Sequence, residues 1–231
     1  YAMILQKAGR FDDASQVARK LSSLLSKVDG DRLMNHPSLK LVLGLSYYMQ
    51  ERWESAYSHI IFYAKEHSND EQSHLLAAHI EVERGRFQSA LQILEQYTGT
   101  DRSELFTELK VNVLSNLQAF DKAYSELKDG IKQYPDSDSL KRTEVKVLLA
   151  LGQIDEALIK LRDNSEALKF DDNMLILFSQ LELGDKQVDA AARIINEMVL
   201  KSPNDPSVIA VSAGVDYQRK EFDSAERKLI K

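Results

Sequence analysis

Five histidines and thirty-six carboxylates are the groups in this 231-residue chain that could ligate a metal or move a proton, and there is no cysteine. Without thiols there are no disulfides, no Cys-ligated zinc, no iron–sulfur cluster and no cysteine nucleophile. The histidines are His36, His59, His67, His74 and His79. No two are four residues apart, the spacing that would aim two imidazoles at one zinc from a helix face. His79 and Glu83 do stand one helical turn apart. They read as a solvated polar pair, with a metal site as the remote alternative. Asp12/Asp13 and Asp171/Asp172 fall where helices begin, so capping and the helix dipole explain them better than acid–base catalysis. No Gly-rich phosphate loop and no Gly-x-Ser-x-Gly elbow occurs. The expectation is a protein that is not an enzyme, with no metal and no cofactor.

Composition narrows the class further. Hydrophobic residues make up 43% and charged residues 29%, ordinary for a folded soluble domain. Nine glycines and four prolines are too few for an all-β fold rich in tight turns. Thirty basic residues against thirty-six acidic ones give a net charge of −6. A nucleic-acid binder that neutralises phosphates would carry the opposite sign, so no nucleic-acid partner is expected. No apolar run approaches the roughly 20 residues of a membrane helix, so no direct membrane insertion is expected in this segment. The chain begins at Tyr1 and ends inside an amphipathic stretch from Phe222 to Lys231, which reads as a fragment of a longer protein.

One phrase recurs along the chain: apolar, acidic, any residue, alanine. It reads Phe11-Asp12-Asp13-Ala14, Trp53-Glu54-Ser55-Ala56, Phe87-Gln88-Ser89-Ala90 and Phe120-Asp121-Lys122-Ala123. It continues as Ile154-Asp155-Glu156-Ala157, Val188-Asp189-Ala190-Ala191 and Phe222-Asp223-Ser224-Ala225. The alanines are separated by 42, 34, 33, 34, 34 and 34 residues. Four residues after them stand Ala18, Ile60, Leu94, Leu127, Leu161, Ile195 and Leu229, all apolar. A fixed period of this length marks stacked supersecondary units. The alanine belongs where two helices cross closely. The apolar anchor, aromatic in five copies, fills the turn between them, and the acid sits in the first turn of the second helix. Trp53 occupies that anchor column, so packing is a better reading for it than ligand stacking. Tyr47 and Tyr57 read the same way. Gly9, Gly85 and Gly152 lie two residues before their anchors, where a left-handed cap ends the first helix. Pro135 and Pro203 lie where the second helix stops, and Gly44 and Ala78 supply the matching small contact on the first helix.

These columns resemble the tetratricopeptide repeat, a 34-residue helix–turn–helix family with small residues near its eighth and twentieth positions and an aromatic near the seventeenth. Val111, Val145 and Ser179 depart from the small eighth position, and most repeats lack the family's late proline. The resemblance implies an all-α, right-handed superhelical solenoid of about seven repeats. It would form a single domain over residues 1–231, with 13 or 14 helices and the first and last repeats incomplete. Repeat one would keep only Tyr1 to Ala8 of its first helix. The 42-residue spacing places about eight extra residues between Ser26 and Pro37, with Asp29-Gly30-Asp31 and Asn35-His36-Pro37 as turns. Gly184-Asp185-Lys186-Gln187 predicts a slightly longer turn in repeat six.

In this family the first helices line a concave face that holds partners. Carrying its positions over gives Leu41, Leu45, Tyr48 and Met49, then Gln72, Leu75, His79, Val82 and Glu83, then Glu108, Asn112, Ser115 and Asn116. Farther along come Arg142, Lys146 and Leu149, then Asn173, Ile176 and Gln180, then Ser207 and Tyr217. The partner-binding set drawn from these is Leu45, Tyr48, Met49, His79, Asn112, Arg142, Lys146, Gln180 and Tyr217. The alternative, that Leu41, Leu45 and Leu75 are buried by the curvature of the stack, stays open at this point. The family's carboxylate clamp is incomplete here, because Glu108, Thr143 and Leu177 stand where its donors would be. The implied function is a non-enzymatic scaffold that binds a partner peptide or domain, with self-association through open solenoid ends as a further possibility. A sharper version is an assembly factor for a bacterial envelope, secretion or exopolysaccharide-export complex, in the periplasm or cell envelope. The alternatives are the regulatory arm of an enzyme whose catalytic domain lies outside this segment, and an RNA-binding helical repeat, which the net charge disfavours.

Overall fold

The computed structural model describes residues 11–28, 35–164 and 172–230. Tyr1 to Ala8, Gly9, the Asp29-Gly30-Asp31 turn and Asp171 lie outside the described residues. Among the described residues there are thirteen α-helices and no strand. In chain order they are α1 (Phe11–Leu25), α2 (Pro37–Tyr48), α3 (Trp53–Glu66), α4 (Glu71–Glu83), α5 (Phe87–Glu95), α6 (Glu104–Asn116) and α7 (Phe120–Gln133). They continue as α8 (Asp138–Ala150), α9 (Ile154–Asp163), α10 (Asp172–Gly184), α11 (Val188–Lys201), α12 (Pro206–Gln218) and α13 (Phe222–Leu229). The all-α helical-repeat architecture expected from the period is the one observed. The chain divides into two compact units, Tyr1–Glu126 and Leu127–Lys231.

Every odd-numbered helix begins at the anchor residue of the recurring phrase. The phrase's alanines are the tightest points of the fold: Ala56, Ala90, Ala123, Ala157 and Ala191 have no exposed surface, and Ala14 and Ala225 are buried. The eighth-position partners are equally enclosed. A Cβ placed on Gly44 would lie 2.6 Å from Ile60 Cγ1 and 3.2 Å from the Ala56 carbonyl oxygen, so α2 and α3 cross with no room for a side chain. Val111, Val145 and Ser179 are also buried, so the larger residues are accommodated. Ser179 does so by donating its hydroxyl to the carbonyl of Ala191, the alanine opposite, at 2.9 Å.

One turn joins the paired helices everywhere it is described. The residue two before the anchor is left-handed in six repeats: Glu51, Gly85, Gln118, Gly152, Lys186 and Lys220, with φ between 57° and 75°. The next residue's N–H returns to the first helix, as in Arg52 to the Tyr47 carbonyl (3.0 Å), Arg86 to Glu81 (2.7 Å) and Gln187 to Glu182 (2.8 Å). This is the helix-ending pattern that satisfies otherwise orphaned carbonyls. Gly85 and Gly152 take the left-handed cap as expected, and four of the six positions reach it with Glu, Gln or Lys instead. The sequence reading is corrected in one place. The turn of repeat six is not longer than the others, because Gly184 still belongs to α10 and Lys186 is the left-handed residue.

First helices begin differently. Asp70, Ser103, Ser137 and Asp205 accept from backbone N–H groups in the first turns of α4, α6, α8 and α12, at 2.7–3.3 Å. Among the second helices α3, α5, α9, α11 and α13, none has such a side-chain cap. Their start is dictated by the turn alone. Pro135 and Pro203 follow the ends of α7 and α11 by two residues, as expected.

Within each unit, helices pack on their chain neighbours, and first helices of adjacent repeats also meet: α4 with α6, and α10 with α12. The first unit's core joins Ala56, Ile60, Ala78, Ala90, Leu94 and Phe106. The second unit's joins Ala191, Ile195, Met198, Val208 and Val211. Buried acids add a polar layer that the repeat pattern did not announce. Glu81, Glu182 and Asp216 each stand six residues before an anchor and are almost fully buried. Glu81 is paired with Arg84. Glu182 accepts from Arg162 Nε and Nη2, each at 2.8 Å. Asp216 receives Lys228 at 2.7 Å and the Ser224 hydroxyl at 2.6 Å. No buried side-chain nitrogen or oxygen among the described residues lacks a partner.

The turns and the buried acids can each be tested by substitution. Gly152 has φ +75°, and no atom lies within 4 Å of where a Cβ would stand, so Gly152→Ala meets backbone strain alone. It should lower stability by about 1 kcal/mol, while Lys220→Gly should raise it by a similar amount, both read from urea unfolding. Burial alone would raise the Asp216 pKa, but hydrogen bonds from Lys228 and Ser224 outweigh it and hold the carboxyl below its ordinary value. A depressed folded pKa stabilises above the unfolded value and loses that contribution as pH falls through the folded one. Asp216→Asn should therefore cost about 1–2 kcal/mol at neutral pH, and its deficit should shrink as unfolding is measured at progressively more acidic pH.

Candidate protein-binding cleft

Two successive first helices repeat one spacing. Gln72, Leu75, Leu76 and His79 on α4 and Leu105, Glu108, Leu109 and Asn112 on α6 each fall at i, i+3, i+4 and i+7, one face of a helix. With Tyr48 from the end of α2 they line a cleft of about 540 Å³ in the first unit. That volume is within the roughly 300–1,000 Å³ of sites that enclose a ligand. Leu75, Leu76 and Leu109 are half-buried against the unit's core, and Leu105 is 66% exposed.

Local chemistry holds the two helices in register. The segment between α5 and α6 is tied back by the Thr98 N–H on the Ser68 carbonyl (2.9 Å) and by the Tyr97 hydroxyl on the Asp101 carbonyl (2.7 Å). The Ser103 N–H then donates to the Glu71 carboxylate at 2.6 Å, linking the first turns of α4 and α6. At the α2 end, the Tyr48 ring stands edge-on to Trp53 at 5.4 Å, and its hydroxyl is 3.4 Å from His79 Nδ1. The other ring nitrogen of His79 lies 3.7 Å from Glu83. Burial, and then the Glu83 charge, push the Tyr48 phenol above its ordinary pKa. Trp53 thus packs as expected and also braces a cleft residue.

Of the nine partner-binding residues chosen from the sequence, Tyr48, His79 and Asn112 line this cleft. Leu45 and Met49 are half-buried on and just after α2 and do not line it. The other four belong to the second unit. Arg142 is half-buried and Lys146 exposed, one turn apart on α8; Gln180 is exposed on α10; Tyr217 is 64% exposed on α12, edge-on to Phe222 at 5.4 Å. Ile176, a concave-stripe position in the repeat pattern, is instead 9% exposed within the second core, where α12 packs on α10 beside it. Sequence reasoning missed Leu76, Leu105 and Leu109. Leu105 occupies a stripe position that the family pattern already marks; Leu76 and Leu109 sit beside it and are revealed only by how α4 and α6 lie together.

Three other histidines are held by local contacts. His74 is buried with Nδ1 2.9 Å from the Asp70 carbonyl oxygen, His67 stacks on Tyr63 at 4.0 Å, and His59 stacks on Tyr47 at 5.7 Å. Among the described residues, no three His, Cys, Asp or Glu side chains gather as a metal site would require. No helix among them is long and apolar enough to cross a membrane. A second cleft, of about 630 Å³ in the second unit, includes Arg162, Phe178, Glu182 and Arg193. Its Arg162 is already committed to Glu182 and to Asp185 at 2.9 Å.

The architecture is that of known proteins. A tetratricopeptide repeat protein from Parabacteroides merdae matches with a TM-score of 0.67 at 13% identity, over 98% of this chain and 87% of that one. PilF of Pseudomonas aeruginosa gives 0.68 at 12%, over 83% and 88%. MamA from Desulfovibrio magneticus gives 0.59 at 18%, over 66% and 87%. No family model matches the chain, and no curated protein matches it in sequence. The chain has the tetratricopeptide-repeat fold.

Leu105→Asp should leave stability within about 0.5 kcal/mol of the parent, because most of that side chain already faces water. Superimposable urea curves would qualify it as a probe of binding alone.

Proposed function

We propose that this protein is a non-enzymatic interaction scaffold that seats a segment of a partner protein on the first-helix face of its repeats. The carrying observation is the α2–α4–α6 cleft, with an apolar floor, a 66% exposed leucine and polar groups at its edge. That arrangement is the one expected of a protein-binding surface, where a few apolar anchors enter a pocket rimmed by polar groups. The fold supports the reading, since each repeat presents one helix face to solvent and the same register recurs in the next. One neighbour of like fold, at a TM-score of 0.59 and 14% identity, is part of the Cut9–Hcn1 hetero-tetramer. In the finer reading, the partner belongs to an envelope, secretion or exopolysaccharide-export assembly in bacteria. The absence of cysteine and the diverged repeats fit that setting as they fit others. Arg142, Lys146, Gln180 and Tyr217 offer further contacts from the second unit, as do Leu45 and Met49 from α2.

Site-specific photocrosslinking in the native host tests the proposal. A crosslinker placed at Leu105 or Asn112 should capture one discrete protein, and the same group at Glu95, exposed on α5, should not. Equal capture from both faces would refute docking in the cleft.

A further inference from the structure

The cleft has a sign as well as a shape. Glu108 lines it, and Glu83 stands 3.7 Å from His79, which also lines it. Among the described residues no lysine or arginine lines it. The nearby cations are spent elsewhere: Lys110 and Arg102 both bind Glu126, at 2.5 and 3.1 Å, and Arg84 is held by Glu81 and Glu54. The Glu83 field reaches the Tyr48 phenol at the α2 end and raises its pKa. Two carboxylates therefore flank an apolar floor made of Leu75, Leu76, Leu105 and Leu109.

Resting on the proposed docking role, we infer that the occupant is a basic, apolar segment of a partner protein: large apolar side chains on the leucine floor, with lysine or arginine beside them facing Glu83 and Glu108. An acidic segment would bring its charges against these two carboxylates with no lysine or arginine lining the cleft to offset them. Such like-charge opposition is how an interface rejects a wrong partner.

The test is a selection of random twelve-residue peptides displayed on phage against the full chain, run in parallel on the charge-neutral variant Leu75→Asn/Leu105→Asn. Circular dichroism first confirms that the variant remains helical. Peptides enriched by the parent and lost on the variant are the cleft binders. They should carry net positive charge and at least two large apolar residues. A synthetic peptide of the most enriched sequence should then bind Glu83→Gln/Glu108→Gln about three- to ten-fold more weakly than the parent at low salt, with a flatter salt dependence. Cleft-dependent peptides that are neutral or acidic, or an unchanged affinity for the glutamine variant, would overturn the basic-segment inference and leave cleft docking standing. No cleft-dependent peptide at all would overturn both.

Discussion

An alanine with no space beyond its Cβ fixes how closely the two helices of each repeat approach, and most of the architecture depends on that contact. At the α2–α3 crossing the opposing residue is glycine, and even a methyl group there would strike Ile60 and the Ala56 carbonyl. Where the opposing residue is Val111, Val145 or Ser179, the alanine remains buried and the larger side chain is absorbed around it. Close packing of this kind transmits small volume changes as helix displacement, so the column must hold even where its partner drifts. Once the approach is fixed, the residue four later, such as Ile60 or Leu94, falls into the core on the next turn.

The chain starts its helices in two ways. Four first helices, α4, α6, α8 and α12, take a side-chain cap from Asp70, Ser103, Ser137 or Asp205, whereas α2 starts at Pro37 without one. Second helices follow a stereotyped reversal with a left-handed residue, and the geometry of that reversal sets where they begin. The tight turn tolerates Glu, Gln and Lys at the strained position because tertiary packing holds both helices in place around it. A buried carboxylate met by a partly exposed cation, Glu182 with Arg162, then joins neighbouring repeats.

The cleft grows from the same rules. The period repeats a surface stripe, so residues 33 apart, such as Leu76 and Leu109 or His79 and Asn112, come to lie on adjacent helices. The Glu71–Ser103 hydrogen bond and the tied-back segment between Tyr97 and Asp101 hold that adjacency in place. These contacts fix the cleft's shape within the protein itself, the condition under which a docking segment would lose the least ordering entropy on the protein's side.

The sequence alone determined the class, the period and the start of each second helix, because these depend on local spacing and on one small residue recurring at a fixed offset. It also placed Tyr48, His79 and Asn112 on the first-helix stripe, and these three line the cleft. Tertiary structure decided what the spacing leaves open. It turned the residue two before six of the anchors left-handed even where it is lysine, and it buried Ile176 beneath α12. It made Leu76 and Leu109 part of the cleft floor and paired Glu182 with an arginine twenty residues away. The physical reason is common to these cases. A helical period tells which face a side chain is on, but its exposure and partner are set by which helix lies across that face.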